Sequence, residues 1–262
     1  MAIYDYKYRG FHGKVGGRLD RIWTVFAAEF AFRMKNVWMI MLLVLTLALG
    51  VFPSIMMMEP LGFFFYLFVW ATLYTAVAGG DILSSDRKYN TVTLYFSRPI
   101  TKDDYFAGKF LTLYTIISLV CLLPCLIMIM MIYGIGEDVL TFDVAPAARG
   151  FLVLGLLWNL LFTAIAMGFS STTTNQWFAT VGTFAFLFIS SLLGGLFSIF
   201  IHRDFGYLNI NTDLSIMLNH FGGFEQMESY YRWEPALAAI LLMSGFFLAL
   251  AYMQTKRMDL SE

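Results

Sequence analysis

The stretch GDILSSDRKYNTVTLYFSRPITKDDYFAGK, residues 80–109, decides how the chain is organised. It is a charged, turn-bearing segment between two uncharged runs, each long enough to cross a membrane. Its charged residues are Asp81, Asp86, Arg87, Lys88, Arg98, Lys102, Asp103, Asp104 and Lys109. A polar segment held between two membrane-spanning helices can transmit a force from outside the bilayer into it. We call residues 80–109 the elbow.

The composition of the whole chain predicts a membrane protein. Hydrophobic residues make up 59% of the 262 residues and charged residues only 13%, whereas about a quarter of the residues in a soluble domain are charged. The mean hydropathy is +0.70. A net charge of -1 gives no indication of nucleic acid as a partner. The N-terminus lacks the pattern of a cleaved signal peptide, so we expect it to be retained.

Uncharged runs predict six transmembrane helices, and the fold class is therefore an all-α polytopic membrane protein. The predicted spans are about 36–58, 61–79, 110–135, 150–169, 177–201 and 235–252, within one domain of residues 36–252. The fourth and fifth come from residues 150–201, which contain no Asp, Glu, Lys or Arg. As one helix these would reach roughly 78 Å, over twice a bilayer. The chain must therefore fold back, and SSTTTNQ, residues 170–176, is the place.

The remaining segments flank or connect these spans. Residues 1–17 are predicted as a cytoplasmic extension, 202–234 as a polar outer segment and 253–262 as a cytoplasmic tail. Residues 18–35 predict an amphipathic helix in the headgroup region, with apolar side chains at helical spacing. Its basic residues are Arg18, Arg21, Arg33 and Lys35. The same pattern equally fits a cytoplasmic continuation of the first span.

The distribution of basic residues predicts the orientation in the membrane. Of the 17 Lys and Arg residues, 14 fall in the N-terminal region, the elbow and the C-terminal tail. With an even number of spans these three segments lie on one side, and the positive-inside rule places that side in the cytoplasm. A prokaryotic inner membrane protein with both termini in the cytoplasm is expected.

The elbow divides into two helical pieces. Residues 81–96 carry enough apolar side chains for a short helix across the membrane face, and Pro99 ends it because proline disrupts a helix interior. Thr101 and Asp104 have the spacing of a capping box, which predicts the start of a helix that continues into the third span.

The elbow resembles the cytoplasmic signature of ABC-2 type transporter permeases, which commonly reads acidic, Gly-Thr, Leu, Ser-x-Pro-Ile and Gly-Lys. The matching residues are Asp86, Asn90-Thr91, Leu94, Ser97-Arg98-Pro99-Ile100 and Gly108-Lys109. Asn90 stands where that signature usually has Gly. The family layout also agrees, with an N-terminal amphipathic helix, six spans and an elbow between the second and third.

The resemblance implies a permease whose elbow is a coupling segment that docks on a separate ATP-binding subunit. The residues expected at that contact are Asp86, Arg87, Lys88, Tyr89, Leu94, Tyr95 and Arg98. The basic ones would make charge-assisted contacts and the tyrosines and Leu94 would fill a groove of the partner. The alternative is an ordinary positive-inside loop that faces lipid headgroups.

No residue pattern predicts catalysis, a metal or a cofactor in this chain. It has no G-x-x-x-x-G-K-[ST] run, so ATP and Mg²⁺ are expected on the partner subunit, and we expect a non-enzyme. Cys121 and Cys125 lie one helical turn apart in an apolar run, which favours packing over a disulfide.

Two sets of polar or small residues within the predicted spans are further candidates. The fifth span carries small residues four apart, suited to close helix approach either within one subunit or in a homodimer or heterodimer of permeases. They are Ser190, Ser191, Gly194, Gly195 and Ser198. Asn159 and Thr163 in the fourth span indicate either helix–helix hydrogen bonds or a substrate pathway.

Two hypotheses of different class follow. The first is a transport permease that alternates access when a cytoplasmic ATPase moves the elbow. Export is the commoner mode in the resembled family, so we expect an exporter. The second is a multi-span anchor or assembly subunit without a pathway, in which residues 202–234 would be the functional part. An intramembrane enzyme is disfavoured because catalytic pairs of residues are missing from the sequence.

Overall fold

The computed structural model describes residues 17–51, 60–91, 100–135, 143–224 and 231–257. Helices form the framework of these ranges. Within them nine α-helices occur: α1 (Arg18–Met34), α2 (Val37–Thr46), α3 (Pro60–Gly80), α4 (Ser84–Lys88), α5 (Lys102–Ile135), α6 (Val144–Thr172), α7 (Gln176–Phe200), α8 (Ile210–Gly222) and α9 (Trp233–Lys256). A π-helical turn, Leu47–Val51, continues α2, and a 3₁₀-helix, Arg203–Leu208, precedes α8.

Five of these helices are long and apolar enough to cross a membrane, or six if α1 and α2 together count as one bent span. The five are α3, α5, α6, α7 and α9. The predicted class, an all-α polytopic membrane protein, is confirmed. The last part of the predicted first span, residues 52–58, lies outside the described residues.

Helices α1 and α2 meet at an angle of 78°. Asn36 lies at the junction, and its side chain accepts a hydrogen bond from the backbone N–H of Trp38 at 3.0 Å, which caps the new helix. Because of this bend, α1 does not continue α2 in a straight line. A straight continuation was one of the two interpretations that the sequence pattern left open. Helix α1 instead packs against α5.

Helix α6 lies at the centre of the bundle, packed against α3, α5, α7, α8 and α9. Edge-to-face aromatic contacts join it to α3, with ring centroids 5.1 Å apart between Phe64 and Trp158 and 5.7 Å apart between Phe68 and Phe162. Cys121 and Cys125 of α5 are fully buried free thiols, as predicted from their apolar surroundings. Helix α7, in contrast, leaves most of its apolar surface exposed.

The segment predicted as a polar outer segment, residues 202–234, contains a largely apolar helix. Helix α8 within it is largely buried and packs against α6 and α9. Asn209 caps its start by accepting hydrogen bonds from two backbone N–H groups, and Gly223 ends it with a φ of 67°. Its apolar residues at helical spacing, Ile210, Leu214, Met217 and Leu218, are the signal in the sequence that predicts a buried helix.

Candidate functional site: the elbow and its ion-paired base

The elbow begins where α3 ends at Gly80 and returns to the bundle through the first turns of α5. Among residues 81–91 of the predicted helix, α4 covers Ser84–Lys88. Asn90 then adopts a φ of 51°, a left-handed conformation that Gly or Asn tolerates best, which explains Asn at the usual Gly position. Residues 92–99 lie outside the described residues.

The predicted capping box at the start of α5 is confirmed. The backbone N–H of Asp104 donates to Thr101 Oγ1 at 3.2 Å, and the backbone N–H of Thr101 donates to Asp104 Oδ2 at 3.3 Å. The Asp104 carboxylate also pairs with two arginines of α1, Arg18 at 3.3 Å and Arg21 at 2.9 Å. The cap of α5 therefore also anchors the first turns of α1.

Asp86 is buried and its carboxylate bonds within the chain. Its Oδ2 atom lies 2.7 Å from Lys109 Nζ and accepts a hydrogen bond from the Tyr105 hydroxyl at 2.6 Å. Its Oδ1 atom accepts from Thr91 Oγ1 at 2.8 Å. Three positions of the sequence signature, Asp86, Thr91 and Lys109, thus meet in one cluster. The predicted contact of Asp86 with a partner stays a prediction, and its carboxylate is already bonded within the chain.

A chain of ion pairs continues from this cluster into α1. Lys109 Nζ lies 2.6 Å from Glu29 Oε2, and Arg33 Nε lies 2.9 Å from Glu29 Oε1. Arg33 Nη1 then lies 2.7 Å from Asp81 Oδ1. We call the five residues Asp81, Arg33, Glu29, Lys109 and Asp86 the ion chain. It joins α1, the α3–α4 corner and α5 through alternating charges.

The ion chain is buried except at its partly exposed end, Asp81, and this burial raises the cost of breaking it. Arg33 and Lys109 are 4% and 1% exposed, and Glu29 is 8% exposed. A charge in such a place is tolerated only when it is paired, and removal of one partner leaves an uncompensated buried charge. The sequence pattern had placed Arg33 in the headgroup region. The spacing of Glu29 and Arg33, four residues apart on a helix, was the available signal of their pairing.

Gly108 allows α1 to come close enough to form the ion chain. A Cβ atom at Gly108 would lie 2.6 Å from the Cβ of Val25 in α1, closer than side chains approach. The Gly-Lys pair of the signature therefore has two physical tasks. Gly108 permits the helix crossing, and Lys109 forms ion pairs with two carboxylates beside that crossing.

The outer part of the elbow is exposed, in contrast to its base. Lys88 and Tyr89 are exposed, with the Lys88 ammonium 5.3 Å from the centre of the Tyr89 ring. Arg87 is partly buried and donates a hydrogen bond from Nη1 to the backbone carbonyl of Ser171. We call Lys88 and Tyr89 the elbow tip. Three further predicted contact residues, Leu94, Tyr95 and Arg98, lie outside the described residues.

The small residues of α7 do not all face the same environment. Gly194 is buried within the chain, because a Cβ atom there would lie 2.5 Å from the backbone nitrogen of Asn209. Ser190 and Ser191 donate hydrogen bonds to the Leu187 carbonyl, and Ser198 donates to the Gly195 carbonyl. These hydroxyls are thus satisfied inside their own helix, which leaves the surface around them free for apolar packing.

Asn159 and Thr163 are fully buried in the bundle. Among the described residues neither the Asn159 carboxamide nor the Thr163 hydroxyl has a hydrogen-bond partner. Within the described residues, Asn159 and Thr163 thus form no side-chain hydrogen bond between helices, and their role stays a prediction. Unpaired polar groups in a membrane core are costly and often mark functional positions.

A helical bundle that can span the bilayer, with a charged elbow anchored by buried ion pairs, defines an all-α polytopic membrane protein. Residues 54–260 match the family model described as ABC-2 family transporter protein, and the chain therefore belongs to the ABC-2 transporter family. It is a multi-pass membrane component of a transport system. A search of the curated proteins finds no match to the chain.

Proposed function

We propose that the chain is the permease subunit of an ATP-driven ABC exporter and that a separate cytoplasmic ATP-binding subunit docks on the elbow. The observation that carries this proposal is the contrast between the exposed elbow tip and its buried, ion-paired base. A tip fixed on such a base transmits the force of a partner to the bundle instead of bending. ATP and Mg²⁺ bind to the partner, since this chain has no phosphate-binding loop.

The contact with the ATPase is made by Arg87, Lys88 and Tyr89, together with Leu94, Tyr95 and Arg98. Basic side chains pair with carboxylates of the partner, and an exposed tyrosine is a frequent centre of binding energy. Asp86 supports this surface from below through Lys109. Both termini and the elbow lie in the cytoplasm, in a prokaryotic inner membrane.

A second permease chain, identical or similar, completes the transporter. The exposed apolar face of α7, with Ser190, Ser191, Gly195 and Ser198 along it, supports this arrangement because small residues allow close helix approach in lipid. Closure of the ATPase subunits tilts the helices and alternates access to a pathway between the two chains. Asn159 and Thr163 reach this pathway only when α6 separates from its neighbours.

Substitutions at the elbow tip test ATPase docking, one by reversing a charge and one by removing an aromatic side chain. Lys88→Glu and Tyr89→Ala are each expected to weaken binding of the ATPase subunit to the permease by about tenfold or more. Contacts of this kind contribute about 1–2 kcal/mol or more. ATP hydrolysis stimulated by the permease falls in parallel. Binding is measured by co-purification from the membrane and hydrolysis by phosphate release.

Lys35→Glu is the matched control, since Lys35 is also an exposed basic residue but lies at the α1–α2 junction. It is expected to leave binding and hydrolysis unchanged, and all variants are expected to insert in the membrane. Full ATPase binding and stimulation in both Lys88→Glu and Tyr89→Ala would reject the proposal. The anchor or assembly subunit would then be the better hypothesis.

A further inference from the structure

A buried hydroxyl group at the end of α6 contacts the elbow. Ser170, near the end of α6, is fully buried. Its Oγ atom accepts hydrogen bonds from the backbone N–H groups of Leu83 at 3.0 Å and Ser84 at 3.1 Å. It also lies 3.2 Å from the Gly80 carbonyl, to which it donates. One side chain thus satisfies three backbone groups of the α3–α4 corner.

Ser170 performs a task that a capping residue of α4 would ordinarily perform. Leu83 occupies the N-cap position of α4, and its side chain makes no capping hydrogen bond. Leucine is a poor N-cap because it has no acceptor for the first N–H groups of the helix. The acceptor comes instead from α6, more than 80 residues away in the sequence. The short helix α4 therefore depends on a contact with another membrane span.

The surrounding packing leaves little room for the two segments to slide past each other. A Cβ atom at Gly79 would lie 2.4 Å from Ala166 Cβ of α6, and one at Gly80 would lie 2.0 Å from Thr180 Oγ1 of α7. Arg87 of α4 adds its hydrogen bond to the Ser171 carbonyl. The end of α3 thus lies directly against both helices that the turn connects.

We propose that Ser170 is a positioning residue that makes the elbow and the α6–α7 turn move as one unit. The inference rests on the proposed function, because it names the route by which a force on the elbow tip reaches the bundle. By this route the force enters α6 and α7 as well as α3 and α5. Helix α6 packs against most of the bundle, so its displacement is passed to the other spans.

The chain offers a matched pair of substitutions. Ser170→Ala removes the bridging hydroxyl, whereas Ser171→Ala removes an equally buried hydroxyl that donates to Gly168 of its own helix. Ser170→Thr keeps the hydroxyl. If buried serines at the end of α6 have only a structural role, Ser170→Ala and Ser171→Ala should have similar effects. The positioning role predicts an effect of Ser170→Ala alone and its rescue by Ser170→Thr.

The first measurement uses nitroxide spin labels on Lys88→Cys and Gln176→Cys in the purified chain, at two exposed positions on the elbow and on α7. Cys121 and Cys125 are fully buried and stay unlabelled. A narrow distance distribution is expected for the parent, Ser171→Ala and Ser170→Thr proteins. Ser170→Ala is expected to lose the narrow distribution. Identical distributions for the two alanine variants would overturn the proposal.

The second measurement uses labels at Gln176→Cys and Met253→Cys, which leave the elbow tip unaltered, in the complex with the co-purified ATPase. A non-hydrolysable ATP analogue is expected to shift this distance in the parent complex and in Ser171→Ala but not in Ser170→Ala. A shift that persists in Ser170→Ala, or is absent from the parent complex, contradicts the proposal. If no ATPase binds, the proposed function fails, while the first measurement still decides whether Ser170 fixes the elbow.

Discussion

Buried polar groups at the elbow and in helix α8 differ in how completely they are paired. At the elbow, Glu29 and Lys109 of the ion chain each contact two oppositely charged groups. In α8, Asp213 Oδ1 and both polar atoms of the Asn219 side chain have no hydrogen-bond partner among the described residues. Asp213 is 1% exposed and Asn219 5% exposed, so burial is similar in the two regions and only the pairing differs.

This difference indicates which end of the molecule resists deformation. A movement within the ion chain separates buried charges from their partners, which is costly. A shift of α8 breaks no hydrogen bond of Asp213 Oδ1 or of the Asn219 side chain to another described residue, because these atoms form none. We infer that the elbow moves as a rigid body, whereas α8 adjusts its position at lower cost.

The largest expected effect comes from removing the cation shared by two carboxylates. Lys109→Met leaves the buried Asp86 carboxylate without its partner Lys109 and leaves Glu29 paired with Arg33 alone, and it is expected to lower the free energy of unfolding by about 3–5 kcal/mol. Thermal unfolding in detergent micelles measures this. Lys35→Met, at an exposed position, is the control and stays within about 0.5 kcal/mol.

A second substitution sharpens the interpretation of Lys109→Met. Adding Asp86→Asn removes the carboxylate whose partner Lys109 was lost, whereas Glu29 still pairs with Arg33, and is expected to recover part of the lost stability. If the single variant unfolds like the parent protein, or the double variant is as unstable as the sum of two independent losses, the ion chain does not carry the stability assigned to it.

The next effect concerns the opposite region and its pH dependence. Burial raises the pKa of Asp213 to about 9, and α8 lies outside the five candidate spans. An aspartate in the unfolded chain has a pKa of about 3.9, so the folded state binds the proton more tightly. The contribution of Asp213 to stability is therefore greatest at low pH, falls as pH rises above about 4 and levels off above about 9.

Asp213→Asn removes this dependence because an amide does not ionise. The variant is expected to gain stability over the parent as pH rises from 5 to 8, by up to about 1.4 kcal/mol per pH unit. Unfolding curves of both proteins at several pH values measure the difference, in which the other ionisable groups cancel. A difference that stays constant with pH would show that Asp213 is ionised in the folded protein.

The smallest expected effect is at the elbow tip. Tyr89→Ser changes a side chain that is 68% exposed, and the free energy of unfolding of the isolated chain is expected to change by no more than about 0.5 kcal/mol. The same thermal unfolding assay measures it. A loss comparable to that of Lys109→Met would mean that the tip belongs to the packed base and is not a free docking surface.

Local patterns in the sequence predicted much of the elbow and of the spans. The uncharged run of residues 150–201 required a reversal, and α6 and α7 are indeed joined at residues 173–175. Thr101 and Asp104 predicted a cap that the structure contains, and Asn90 adopts the turn conformation that its residue type allows. Each of these features depends on neighbours a few positions away, or on the length of an apolar run.

The tertiary structure alone decided which distant side chains share a buried site. Glu29 and Lys109 are 80 positions apart and Ser170 caps a helix 86 positions before it, so no local pattern records these contacts. Arginine is a residue type expected in the headgroup region, yet the buried ion pairs of Arg33 outweigh its tendency to remain in water. Apolar run length determined where the chain crosses the membrane, whereas the pairing of buried charges was set only when α1, α3 and α5 packed together.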